Sequence, residues 1–241
     1  MSYSRACCTI PPVDSNYTPK GKFENIGDLP VYTVGPSDAK KAIIVIYDIF
    51  GLHKNTQQFC DVLAEHRGYK VLLPDFFRGD AWNQSLGNTE AIVAWLGKVG
   101  TFDVIAPQLE QVRESLQAQG VTTAGLVGFC WGAKIAVLAT AVDSFFGAAS
   151  LVHPSLVDIK DAENAKAPIL ALPSKDEPDM TAYMEVLYKK SFGSQCKHQR
   201  FDDMAHGFCG GRADWSDELN KKRATEVIQL TVNFFDETLK A

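Results

Sequence analysis

Cys130 stands between two glycines in Gly128-Phe129-Cys130-Trp131-Gly132, after the apolar run Ala124–Val127 and before the helical run Ala133–Ala141. A G-x-C-x-G in that setting predicts a sharp strand-to-helix turn. The glycines remove Cβ atoms that would clash as the backbone reverses, and the central side chain is held out above the sheet. A cysteine placed so is a candidate nucleophile, because the N-terminus of the following helix favours its thiolate. The Trp131 N–H points to where an oxyanion would form. The turn after the run Ala42–Tyr47, in Tyr47-Asp48-Ile49-Phe50-Gly51, supplies a second candidate N–H, that of Ile49. By itself the pattern also fits an inert buried thiol in a glycine-flanked turn, so the weight falls on whether an acid and a base follow in order.

Both stations are filled. After Ile169–Pro173 comes Ser174-Lys175-Asp176-Glu177, with Asp176 predicted as the acid. After Lys197–Phe201 comes Asp203-Met204-Ala205-His206-Gly207-Phe208, with His206 predicted as the base. Taken singly, an acid after a strand suits a turn or a helix cap, and a loop His suits a structural or exposed role. The joint order is the evidence. His153, in Leu151-Val152-His153-Pro154, is a rival base, ranked lower because this order takes its His from the final loop. His53, His66 and His198 read as surface or packing residues. No metal is expected: His206-x-x-Cys209 and Cys196-x-His198 offer pairs only. Asp48 falls close to the thiol, where a turn cap and a functional acid are equally open readings. Pro74-Asp75-Phe76-Phe77-Arg78-Gly79 brings aromatics and a cation to the same edge, Arg78 being otherwise a solvated loop residue. Phe50, Phe76, Phe77, Trp82, Trp131 and Phe208 either line an aromatic pocket or fill the core.

The elements that must position these residues follow from the patterning. Short apolar runs predict strands at Ala42–Tyr47, Tyr69–Leu73, Ala124–Phe129, Gly147–Val152, Ile169–Pro173 and Lys197–Phe201. Helices are predicted at Thr56–Arg67, Asn88–Val99, Phe102–Gln119, Gly132–Ala141, Thr181–Phe192 and Ser216–Thr238. This βαβ rhythm gives an α/β class, a mostly parallel sheet with helices on both faces. The first forty residues read as an arm and a hairpin, Lys22–Ile26 with Leu29–Val34, and all 241 residues as one domain. With 46% hydrophobic and 22% charged residues the chain is globular rather than disordered. Its 24 basic against 29 acidic residues, a net charge of −5, argue against a nucleic-acid or anionic-membrane surface. Apolar runs such as Ile135–Val142 fall short of the roughly 18 residues that span a bilayer. No secretory signal is visible at Met1–Cys8, and six scattered cysteines make no disulfide scaffold, so a reducing, cytoplasmic setting is expected.

With these residues assembled, the sequence resembles the dienelactone hydrolase family, the cysteine-nucleophile, carboxymethylenebutenolidase-like branch of the α/β hydrolases. The resemblance runs from about Ile43 to the C-terminus. It rests on D-I-F-G at Asp48–Gly51, P-D-F-F-R-G at Pro74–Gly79, G-F-C-W-G at Gly128–Gly132, Asp176, and A-H-G-F at Ala205–Phe208. The arm Ala6-Cys7-Cys8 followed by Ile10-Pro11-Pro12-Val13 is similar to the fungal-type branch. The resemblance implies an α/β-hydrolase fold and a triad of Cys130, Asp176 and His206, with oxyanion N–H groups from Trp131 and Ile49. Family members place a Glu where this chain has Asp48; there the carboxylate holds the resting Cys as a thiol and helps release the thiolate when substrate binds. Bacterial members bind the substrate carboxylate with two arginines, to which Arg78 and Arg212 correspond approximately. The expected activity is opening a small lactone or cleaving an ester through an acyl-thioester, by a monomer or homodimer without a cofactor. The competing expectation is a non-catalytic member in which Cys130, or Cys7 and Cys8, senses oxidants.

Overall fold

From Lys41 onward the near-continuous apolar runs have no polar face to present to water, so each must be covered on both sides. The structure, a computed structural model, describes residues 11–66, 68–83 and 89–240. The elements in chain order are β1 (Lys22–Ile26), β2 (Leu29–Val34), β3 (Lys41–Ile46), α1 (Lys54–Ala64), β4 (Lys70–Pro74), α2 (Thr89–Val99), α3 (Phe102–Ala118), β5 (Thr123–Phe129), α4 (Trp131–Val142), β6 (Phe146–Val152), α5 (Ile159–Asn164), β7 (Ile169–Leu172), α6 (Thr181–Tyr188), β8 (Lys197–His198) and α7 (Glu218–Thr238). All eight strands join one sheet in the order β1-β2-β4-β3-β5-β6-β7-β8. The β1–β2 hairpin adds antiparallel to β4, and the other neighbours run parallel. Every residue of β4, β5 and β7 is buried, as the unbroken apolar runs require.

The strand order reverses at β3. The chain steps outward to β4 and then returns to β5 on the other side, so the carboxyl ends of β3 and β5 lie beside each other with helices leading away on both faces. Crevices at such switch points are where open α/β sheets hold their sites. Register makes this concrete: Ile46 pairs with Gly128, Gly128 with Leu151, and Val152 with Leu172. Asp48, Cys130, His153 and Ser174 therefore all leave the sheet at one edge.

Several boundaries depart from expectation. The final strand is two residues long, and Phe201 meets Ser174 only in an isolated bridge. The helix predicted over Thr181–Phe192 stops at Tyr188, with a separate 3-10 turn at Gly193–Gln195. A helix at Ile159–Asn164, closed by an Asp158/Asp161 capping box, was not expected. Arg67, Asn88, Cys7 and Cys8 lie outside the described residues. Beyond Pro11 the arm is tied down: Asp61 accepts from the Tyr17 hydroxyl at 2.8 Å and the Lys20 amide at 2.8 Å, and the Val13 amide donates to Gly211 at 3.1 Å.

Candidate active site

Cys130 occupies the elbow that its glycines predict. Its backbone is left-handed, φ 54° and ψ −114°, a conformation that L-residues with a side chain seldom adopt and that persists where the surroundings enforce it. A Cβ on Gly132 would lie 2.2 Å from the Ile46 carbonyl, and one on Gly128 would lie 2.3 Å from the Gly132 carbonyl, so neither position accepts another residue. The Cys130 amide donates to Val152 at 3.2 Å, and its carbonyl accepts from Ala133 at 3.2 Å and Ser155 at 3.0 Å. Its Sγ lies 3.6 Å from the Ser155 hydroxyl. Trp131 is the first residue of α4, where a backbone N–H has no acceptor within the helix. Its indole donates to the Gly100 carbonyl at 2.8 Å, which anchors the ring behind the elbow. Ile49 is buried in the turn after β3, its carbonyl held by the Trp82 amide at 2.9 Å.

His206 is brought to this edge, but the acid facing its ring is not the one the spacing predicts. His206 Nδ1 and Glu177 Oε1 are 2.6 Å apart, with both side chains about 1% exposed. The other Glu177 oxygen accepts from the Ser174 amide. Asp176 instead accepts from the His206 backbone N–H at 2.8 Å. The geometry thus corrects Asp176 to a support of the loop and gives Glu177 the ring. No sequence signal separated the two, since they are adjacent and both acidic. With Nδ1 engaged, Nε2 is the nitrogen through which the ring can act on Cys130. Burial pulls the imidazole's pKa down, yet the charge and hydrogen bonding of Cys130, followed by those of Glu177, hold it above its ordinary value.

Asp48 is the second buried carboxylate. Its Oδ1 accepts from Phe50 N–H at 2.9 Å and its Oδ2 from Gly211 N–H at 2.8 Å. Burial, and then the charge of Cys130, push its pKa up to about 6; the two amides and Arg212 pull the other way. Gly210 is what lets the loop after His206 close on this acid, since a Cβ there would lie 2.3 Å from Asp48 Oδ2. Arg212, buried, lays its guanidinium over the Phe50 ring, 5.1 Å from the centroid.

The remaining candidates separate cleanly. His153 is fully buried, with its ring 5.0 Å from that of His206 and stacked on Phe129 at 5.5 Å. Burial, then the charge of His206, holds its pKa well below the usual value, and among the described residues neither ring nitrogen has a hydrogen-bond partner. Among the described residues, then, no acid orients this ring. Arg78 is not brought to Cys130. A left-handed backbone, φ 55°, turns it outward, where its guanidinium meets the Asp28 carbonyl and carboxylate and Gln108. Phe77 packs 4.7 Å from Trp131 and 5.0 Å from Tyr47, so these aromatics are core behind the elbow; of the six pocket candidates only Phe50 is half-buried rather than buried. Burial pushes the thiols of Cys60 and Cys209 well above their ordinary pKa. Among the described residues no group of three or more His, Cys, Asp or Glu is placed to hold a metal ion, and no helix is long and apolar enough to cross a membrane.

The model of the dienelactone hydrolase family matches residues 29–239. An uncharacterized AIM2 family protein of Schizosaccharomyces pombe is 34% identical over 238 residues, covering 92% of this chain and 93% of that protein. The human carboxymethylenebutenolidase homolog is 30% identical over 185 residues, covering 73% of this chain and 74% of its own. Among solved structures, a putative dienelactone hydrolase from Klebsiella pneumoniae superposes with a TM-score of 0.68 at 21% identity, covering 86% of this chain and 92% of that one, a likeness of fold. The eight-stranded sheet, the strand-to-helix elbow and these matches lead to one assignment: the chain belongs to the dienelactone hydrolase family, on an α/β-hydrolase fold.

Proposed function

We propose that this hydrolase opens small lactones or cleaves esters through an acyl-thioester on Cys130. The observation that carries the reading is the buried 2.6 Å contact between His206 and Glu177 beside a cysteine on a strained elbow. Glu177 fixes the ring and offers a negative charge to the imidazolium, while Asp176 holds the backbone from which the ring projects. His206 Nε2 takes the Sγ proton. The thiolate attacks the carbonyl carbon, and the oxyanion faces the amides of Trp131 and Ile49. Collapse expels the alkoxide, which takes the proton from His206; in a lactone it stays tethered to the acyl group. His206 then deprotonates a water that attacks the thioester, and the Cys130 thiolate leaves. A thiolate leaves an amide adduct more readily than the amine does, so esters and lactones suit this nucleophile better than peptides.

Asp48 is read as the gate on the resting thiol, since the charge of Cys130 adds to the cost of ionising this buried carboxylate. Arg212, rather than Arg78, is read as the cation that meets a substrate carboxylate, a reading supported by its burial against Phe50 and its charge acting on Asp48. The test is a panel of esters and lactones with wild type and Cys130→Ala, and mass spectrometry of rapidly quenched mixtures. Turnover should fall at least about 10⁴-fold in the variant, and an acyl adduct should map to the Cys130 peptide. Undiminished turnover by Cys130→Ala would overturn the reading.

A further inference from the structure

We propose that Ser155 positions and tunes the Cys130 sulfur, a role that rests on Cys130 being the nucleophile. Its hydroxyl lies 3.6 Å from Sγ, a hydrogen-bond distance for the larger sulfur atom. Ser155 is 6% exposed, so bulk water does not compete for that contact. The residue is also locked from its own backbone, because its N–H donates to the Cys130 carbonyl at 3.0 Å. Flanking it, His153 (φ 38°) and Leu156 (φ 65°) are left-handed without being glycine, and Pro154 stiffens the link between His153 and Ser155. The loop after β6 is thus bent back over the elbow and held there.

A serine hydroxyl carries one donor and two acceptor lone pairs and rotates freely. In the resting enzyme it accepts the S–H. Once the proton has passed to His206, the same hydroxyl turns and donates to the thiolate, with no proton changing owner between sulfur and serine. An acylated sulfur is a poor acceptor, so this donation is strongest when the sulfur is charged, as nucleophile and again as leaving group. Among the described residues the ionisable groups around Cys130 include His206 from the loop before α7 and Asp48 from the turn after β3, with Glu177, Arg212 and His153 behind them. Ser155 carries no charge, so removing its hydroxyl acts on those groups through the sulfur alone.

The experiment measures carboxamidomethylation of Cys130 by iodoacetamide, followed by peptide mapping across roughly pH 5–10, beside kcat and KM on the same preparations. Wild type, Ser155→Ala and Ser155→Thr are compared, with melting curves to establish that each is folded. Ser155→Ala should move the midpoint of labelling up by about one pH unit, making labelling below it about tenfold slower. Its kcat should fall by about the same factor while KM stays within twofold. Ser155→Thr, which keeps the hydroxyl, should return the midpoint toward wild type. A folded Ser155→Ala whose labelling profile superimposes on wild type overturns the proposal, whatever its kcat. If Cys130→Ala kept its turnover, the nucleophile reading would fall, and the labelling midpoint would still decide whether this hydroxyl tunes this sulfur.

Discussion

Two buried carboxylates flank the Cys130–His206 pair, and they are held in different ways. Glu177 has a titratable partner, the His206 ring, plus the Ser174 amide. Asp48 has two backbone amides, Phe50 and Gly211, and the charge of Arg212 acts on it as well. The first acid is paired with a group that becomes cationic when it accepts a proton. The second sits beside a group that becomes anionic when it loses one, and its pKa climbs to about 6. Burial is nearly the same for both, 4% and 2% exposed. In the proposed mechanism, what separates the acid that supports the base from the acid that restrains the nucleophile is therefore the neighbour's charge, not solvent exclusion.

The largest way to break this comparison is to neutralise the supporting acid. Glu177→Gln keeps the shape and one oxygen for the ring or the Ser174 amide, but offers no charge to the imidazolium. We expect kcat to fall by about 10²–10⁴-fold. Asp176→Asn retains an acceptor for the His206 amide and should cost less than about tenfold. Steady-state kinetics on one activated ester ranks the two. The reverse ranking would return the acid's role to Asp176.

Neutralising the second acid should act on stability as much as on rate. The folded pKa of Asp48, about 6, lies above the ordinary value of about 3.9. Between these values the native state holds a proton that the unfolded chain has released, so stability falls as pH rises through that window and is lowest above it. The ionised, buried Asp48 therefore costs on the order of 2–3 kcal/mol at neutral pH. Asp48→Asn does not titrate, though its amide can satisfy only one of the two N–H donors. Compared by denaturant melts at about pH 4 and about pH 7, the difference between variant and wild type should move in the variant's favour by roughly that amount. A difference that does not change with pH would show that Asp48 is not held against its ionisation.

The same two acids show what could be read from sequence. The elbow was legible because its geometry leaves no choice: with a Cβ on Gly132 only 2.2 Å from a strand carbonyl, the glycines must sit where they do. His206 was legible from its station after the last strand run. The identity of the acid was not, because the turn after β7 reverses between Ser174 and Glu177, where the Asp176 amide donates back to the Ser174 hydroxyl at 3.3 Å. Adjacent side chains leave such a turn on different sides, and spacing alone does not choose between them. His153 and Ser155 belong to the same class. Both follow a correctly predicted strand, yet their burial and backbone strain are tertiary facts with no local pattern. The strand runs were legible from continuous apolarity, whereas α5 is too short for periodicity to reveal and β8 ends early as the chain turns toward Met204.

The smallest effect is expected where the sequence offered Arg78 as an approximate match to a substrate-binding arginine and the structure turns it outward. Arg78 pins the hairpin turn through Asp28 and reaches Gln108 on α3, on the exposed side of the sheet edge. Exposed pairs of this kind contribute little, because water and salt screen them. Arg78→Ala should therefore leave KM within about twofold of wild type for a carboxylate-bearing lactone and for its neutral methyl ester. Arg212→Ala should differ, since that guanidinium is buried over Phe50 and its charge lowers the pKa of Asp48. Losing it should raise KM about ten- to hundredfold for the anion, with the neutral ester nearly unaffected, and should move the Asp48 titration still higher. Matched kinetics on the two substrates separate the arginines. A selective loss on the anion in Arg78→Ala would mean that its side chain swings inward when substrate binds; equal losses on both substrates in Arg212→Ala would confine that residue to supporting the Asp48 loop.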